Sequence, residues 1–216
     1  YAKPVAQKEI IELQAFATKC AGPNELKPWD MAYWTEKLKK ERFDIDDEIL
    51  RPYFKLEKAI EGIFKVANKL YGLNFKLRSD IQVYHPEVKV YDVHDKNNRH
   101  LAVIYADFFP RSGKRNGAWM TEYSPQYRDK EGQNFRPHVA IVCNFTKPTA
   151  SKPSLLTFDE ILTLFHEFGH ALHGMLSDCR FRSISSTNVY WDFVELPSQI
   201  MENWAYEKEC LDLFAE

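Results

Sequence analysis

Apolar positions recur at intervals of three and four through the first seventy residues, then switch to alternation between about residues 80 and 145. In Ala6 to Cys20, the residues Ile10, Leu13, Ala17 and Cys20 form one helical stripe, and Ala21-Gly22-Pro23 stops it. A second helix is expected over Met31 to Lys40, with Asp30 in position to cap it. From Ile49 onward Tyr53, Leu56, Ile60, Ile63, Phe64, Ala67 and Leu70 keep the helical period until Gly72 closes the segment. All of these stripes read as core.

The alternating region contains β-branched and aromatic runs at Ile81 to Tyr84, Val88 to Val93, Leu101 to Phe108, Ala118 to Tyr123 and Val139 to Phe145. Turn signals separate them at residues 95–98 and 111–117, and a polar loop from Tyr123 to Pro137 joins the last two. A small, mostly antiparallel sheet is expected, followed by a polar, proline-bounded connection over residues 147–153. The fold class is therefore α+β and mainly helical. A single region is expected, helical over 1–79, sheet-rich over 80–146 and helical again over 147–216.

Basic and acidic residues nearly balance, 29 against 31, which gives no electrostatic case for nucleic acid or an anionic membrane as partner. No apolar run approaches the roughly 18 to 20 residues that cross a bilayer. Cys20, Cys143, Cys179 and Cys210 are scattered without a CxxC pair, so neither a disulfide framework nor a zinc ribbon is indicated. A cytoplasmic address fits them, although four are too few to exclude the periplasm. Both ends read as cut: the chain opens at Tyr1, and the helical spacing of Trp204, Leu211 and Phe214 runs to Glu216 with no capping glycine or proline. Nothing in the pattern speaks to oligomeric state.

The chemistry lies in the last seventy residues. Thr157-Phe-Asp-Glu160 is a capping-box sequence with Leu156 and Ile161 placed as a hydrophobic staple, so a helix is expected from Phe158. Ile161, Leu162, Phe165, Phe168, Gly169, Leu172 and Leu176 give it an apolar band broad enough for a buried helix. On it sits His166-Glu-Phe-Gly-His170. Histidines four apart lie about 40° apart around a helix, so both imidazoles can meet one ion. Glu167, about 100° round from His166, stands beside such an ion, where a base for water is needed. Gly169 removes a side chain at a helical cost of about 1 kcal/mol, which points to close approach by another backbone or to tight packing.

A catalytic zinc takes three protein ligands and leaves one position open. A histidine six residues after His170 would complete one known pattern, but that position is Leu176. His173 shares the helix face of the other two and reads as structural or as a partner of a ligand. A carboxylate on a following antiparallel helix is the better third ligand. Glu195 and Glu202 both qualify, with spacing leaning to Glu195, although Asp192 with Glu195 also reads as an ordinary capping box. Glu160 and Asp192 are candidates to orient a histidine and equally good as cap residues. Arg111, Lys114 and Arg115 form a basic cluster that a peptide carboxylate could meet, with a solvated turn as the plainer reading.

The run from Phe165 to Tyr206, with HEFGH followed by DFVELPS, resembles the thimet oligopeptidase family of zinc metallopeptidases. Asn116-Gly-Ala-Trp-Met120 with Val142-Cys-Asn-Phe-Thr-Lys-Pro148 looks most like the bacterial peptidyl-dipeptidases, or dipeptidyl carboxypeptidases, within it. Pro28-Trp-Asp30, Val90-Tyr-Asp-Val93 and Asp107-Phe-Phe-Pro-Arg-Ser-Gly-Lys-Arg115 extend the likeness over essentially the whole chain.

The resemblance implies one zinc per chain on His166, His170 and Glu195, with Glu167 as general base, and so selects Glu195 over Glu202. It implies a zincin-like fold with the small sheet beside the active-site helix, and short peptides as partners. By analogy, Asn116 to Tyr123 is expected as the edge strand that pairs with substrate main chain, Gly117 and Ala118 leaving room for it. The implied reaction is release of dipeptides from free C-termini. The alternatives are internal cleavage of oligopeptides, or a zinc-binding piece without activity, because the family's oxyanion-stabilising tyrosine and histidine come from a later segment that nothing here matches.

Overall fold

The computed structural model describes residues 1–44 and 47–216, and the chain forms two compact units, Tyr1–Ile49 and Leu50–Glu216. The first contains α1 (Ala2–Lys19) and α2 (Met31–Phe43), which bury Leu13, Ala17 and Trp34 between them. Asp30 starts α2 without capping it. Its carboxylate turns back to accept from the Lys27 backbone N–H at 3.0 Å, because the residue is itself helical at φ −86°. A single turn, α3 (Asp47–Leu50), runs through the boundary.

The second unit's first long helix is α4 (Leu56–Tyr71), which buries Leu56, Ile60, Ile63 and Ala67 of the expected stripe, starts later than Ile49 because the chain breaks at Arg51–Lys55, leaves Tyr53 and Leu70 exposed, and ends on Gly72 in the left-handed region. Seven strands follow: β1 (Asn74–Arg78), β2 (Lys89–His94), β3 (His100–Asp107), β4 (Trp119–Ser124), β5 (Tyr127–Arg128), β6 (Asn134–Phe135) and β7 (His138–Val142). The main sheet has the order β1-β2-β3-β7-β4 and is mixed: β3 runs parallel to β7, and the other three pairings are antiparallel. β5 and β6 form a separate hairpin inside the loop expected after Tyr123.

One strand expectation fails at the sheet's first edge. Ile81–Tyr84 is not a strand; it leads into Pro86, and the Tyr84 hydroxyl instead crosses the sheet to donate to Asp107 Oδ2 at 3.0 Å. The strand is the earlier Asn74–Arg78, hidden in the pattern because an edge strand buries little and its Leu77 is mostly exposed. The change from helix to sheet thus falls at Asn74.

Four helices complete the unit: α5 (Phe158–Met175), α6 (Trp191–Val194), α7 (Leu196–Trp204) and α8 (Lys208–Leu211). α5 runs through the core. Ile161, Leu164, Phe165, Phe168, Ala171 and Met175 are fully buried against Val139 and Ile141 of β7, Phe214, and Met201 of α7. Among the described residues no helix is long and apolar enough to cross a membrane.

Candidate metal centre

The helix start follows from local chemistry. Thr157 Oγ1 accepts from the Glu160 N–H at 3.1 Å, and the Glu160 carboxylate accepts from the Thr157 N–H at 2.8 Å. Glu160 is thereby spent on the cap and orients no histidine. About two turns on from the helix start, α5 presents His166 and His170 from one face, their rings 4.9 Å apart and nearly perpendicular.

α7 lies directly on this helix. A Cβ on Gly169 would stand 2.5 Å from Ser198 Cα and 2.7 Å from the Pro197 carbonyl oxygen, so the missing side chain is the seat of the second backbone. Pro197 sits in the first turn of α7, where its lost N–H is no loss, and Glu195 is the residue that precedes the helix. That placement brings Glu195 Oε2 to 3.1 Å from Nε2 of both His166 and His170. The Ser198 hydroxyl donates to the same oxygen at 2.8 Å.

Glu202, one further stretch along α7, does not join the group. Its Oε1 lies 2.6 Å from His166 Nδ1, on the far side of the ring. Asp192 is exposed in the first turn of α6, and neither it nor Glu195 makes a side-chain cap. His173 points elsewhere: it lines an apolar groove of about 550 Å³ with Leu172, Leu196 and Pro197, edge-on to Phe193.

The donor set fits a divalent ion. Ligand atoms of His166, His170 and Glu195 all lie within 4.8 Å of one another. Ligands around a tetrahedral zinc at about 2.0 to 2.1 Å stand about 3.3 Å apart, close to the 3.1 Å separating Glu195 from each imidazole. Burial holds His170 below the ordinary histidine value, favouring the neutral ring that a metal needs, against the opposing pull of Glu195. Burial also works to raise Glu195, yet the Ser198 hydrogen bond and the two histidines together keep it below the ordinary carboxylate value.

Glu167 is 6% exposed, and its Oε2 is buried without a partner. Burial is the main cause that pushes its carboxyl up to about 7; His166 opposes this, Glu195 adds to it, and a hydrogen bond from the Met120 backbone opposes it again. Glu167, His166, His170 and Glu195 share a cleft of about 350 Å³ whose other wall is Ala118, Trp119 and Met120, with Thr187 and Val194 beside them. The wall is Ala118 and the start of β4, which among the described residues pairs with β7 alone and is an edge of the sheet, within the segment expected from Asn116 to Tyr123.

The turn that carries the basic cluster is solvated at Ser112, Gly113 and Arg115, but Arg111 and Lys114 are engaged with Asp107 rather than free for a peptide carboxylate. Arg111 makes two bonds to the Asp107 carboxylate at 2.7 and 2.8 Å, and Lys114, its side chain 3% exposed, joins them at 2.9 Å. Arg115 lies over the Trp119 ring. Sequence reasoning also missed Ser198 as the partner of Glu195. Its signal was present in the three-residue spacing, just as the seven-residue spacing of Glu195 and Glu202 places both on one face of the chain.

A family model described as peptidase family M3 matches residues 1–216. The chain is 46% identical to oligopeptidase A of Escherichia coli (strain K12) over 97% of its own length. It is 42% identical to dipeptidyl carboxypeptidase of the same organism over 99%, and 40% identical to a probable cytosolic oligopeptidase A of Arabidopsis thaliana over 95%. It spans 31%, 31% and 30% of those proteins respectively, about a third of the length of the curated relatives it matches.

Proposed function

Because the chain belongs to peptidase family M3, we propose that it carries the metal-binding and proton-transfer part of a zinc peptidase acting on short peptides. The observation that carries this is the meeting of the His166, His170 and Glu195 ligand atoms in one cleft with a buried Glu167 whose Oε2 has no partner. A purely structural metal has no use for such a carboxylate.

In this reading α5 is the active-site helix of a zincin, and His166, His170 and Glu195 hold one zinc. Zinc bound there supplies Lewis acidity, polarising the scissile carbonyl and acidifying water near neutral pH. Glu202 accepts a hydrogen bond from His166 Nδ1–H and so fixes the tautomer that turns Nε2 toward the site. Ser198 holds Glu195 in place. Glu167 takes a proton from the attacking water, whose oxygen bonds to the carbonyl carbon, and returns it to the amine nitrogen as the C–N bond breaks. The outer edge of β4 supplies main-chain groups for an extended peptide.

Two modes divide the relatives by name. Release of C-terminal dipeptides is the first reading, from the Asn116–Met120 and Val142–Pro148 segments; internal cleavage is the second, favoured by the higher identity to oligopeptidase A. The zinc-loaded full-length enzyme, given matched short peptides with free or amidated C-termini, separates them. Collapse of turnover on amidation means dipeptide release, and unchanged turnover means internal cleavage. No zinc-dependent hydrolysis of any of the peptides would contradict both. A reducing compartment, the cytoplasm first, suits four free cysteines of which Cys143 and Cys210 are buried.

A further inference from the structure

The segment that leads into the cleft wall, residues 108–118, has little to hold it from within. Gly113 and Gly117 both sit in the left-handed region with open space around them. What fixes it is a set of side-chain bonds to backbone carbonyls in and around it. Lys114 Nζ shares its protons among the Phe109 carbonyl at 2.8 Å, the Cys143 carbonyl at 2.5 Å, and the carbonyl and carboxylate of Asp107 at 3.0 and 2.9 Å. Asn144 Nδ2 then donates to the carbonyls of Arg115 at 2.9 Å and Gly117 at 2.7 Å. The two side chains tie the segment to the last residue of β3 and to the residues just after β7. A buried ammonium carries a desolvation cost of several kcal/mol, about what a single ion pair returns, so stability alone is a weak reason for it.

We infer that Lys114 and Asn144 are positioning residues, which set where Gly117–Met120 stands against Glu167 across the cleft; this rests on the hydrolytic reading above. Ala118, Trp119 and Met120 share the cleft with Glu167. Gly117, held by Asn144, is three residues before Met120. A base works only within hydrogen-bond reach of the proton it takes, and a displacement of about 1 Å at such a contact can lower a rate about a hundredfold.

The test uses the zinc-loaded full-length enzyme. Asn144→Asp keeps the side-chain shape but replaces the two donated bonds by oxygen facing carbonyl oxygen, and Lys114→Met keeps length without charge. Both are expected to retain wild-type zinc and lose about tenfold or more in kcat, with KM within about threefold. Amide hydrogen exchange is expected to quicken over residues 109–120 and stay unchanged over 161–175. Wild-type kcat and wild-type exchange in Asn144→Asp overturn the inference, as do a rise in KM alone or a loss of zinc with quickened exchange in α5. Should Lys114→Met fail to fold, Asn144→Asp decides. Should the wild-type enzyme show no Glu167-dependent turnover, the hydrolytic reading fails instead, and exchange over 109–120 still shows whether the clamp holds the wall.

Discussion

His166 Nδ1 lies 2.6 Å from Glu202 Oε1, so the ring that turns Nε2 to the site is fixed from behind by a second carboxylate on α7. Partners of this kind typically contribute about 10 to 100-fold in metal affinity. Glu202→Ala is expected to weaken zinc binding by about that factor without abolishing it, as read by competition with a chelator of known affinity. Unchanged affinity would remove Glu202 from the account. A loss as complete as that of Glu195→Ala would make it a ligand.

Gly169 is where α7 touches α5. Alanine there favours the helix by about 1 kcal/mol, but its Cβ would meet backbone at 2.5 Å, which no rotamer relieves. Gly169→Ala is expected to destabilise the protein by about 1 to 3 kcal/mol net and to weaken zinc, since Glu195 and Ser198 ride on the displaced backbone. Thermal unfolding with and without zinc checks this, and a raised melting temperature contradicts it.

Glu167 is not one of the three residues whose ligand atoms meet and is expected to be dispensable for the metal. Glu167→Gln should keep zinc while turnover in the full-length enzyme falls about 10²- to 10⁴-fold. Full activity with zinc bound would sink the base assignment.

Asp107 is 2% exposed, and burial alone would raise its carboxyl, but Arg111, Lys114 and Tyr84 together hold it below the usual 3.8. A folded value below the unfolded one contributes stability that is complete above the unfolded value and lost as pH falls through the folded one. Asp107→Asn leaves Lys114 and Arg111 without their anion, and is expected to cost about 3 to 5 kcal/mol at neutral pH. The gap between variant and wild type should narrow in urea melts taken below pH 4. A gap that stays constant with pH would contradict the ion-pair account.

The helix that carries the site was legible because every local signal agreed: the Thr157–Glu160 capping box, the Leu156–Ile161 staple and the apolar band all name the same start and the same buried face. Gly169 announced a close approach but not its partner, which lies about thirty residues away. Spacing only leaned to Glu195 over Glu202, since the two are seven residues apart on one face and the axial position of α7 against α5 decides which meets Nε2 and which meets Nδ1. Lys114 was misread for a general reason: charge in a glycine-containing turn usually means water, and burial of an ammonium depends on carbonyls brought from β3 and β7. The parallel β3–β7 pairing is equally absent from local pattern, because it joins strands separated by β4 and the β5–β6 hairpin.

The most direct measurement is zinc content, by elemental analysis, of the protein purified without chelator or added metal, beside its Glu195→Ala variant. The account predicts close to one zinc per chain in the first and little in the second. An empty wild-type protein would contradict the metal centre itself, and wild-type zinc in Glu195→Ala would move the third ligand to Glu202 or His173.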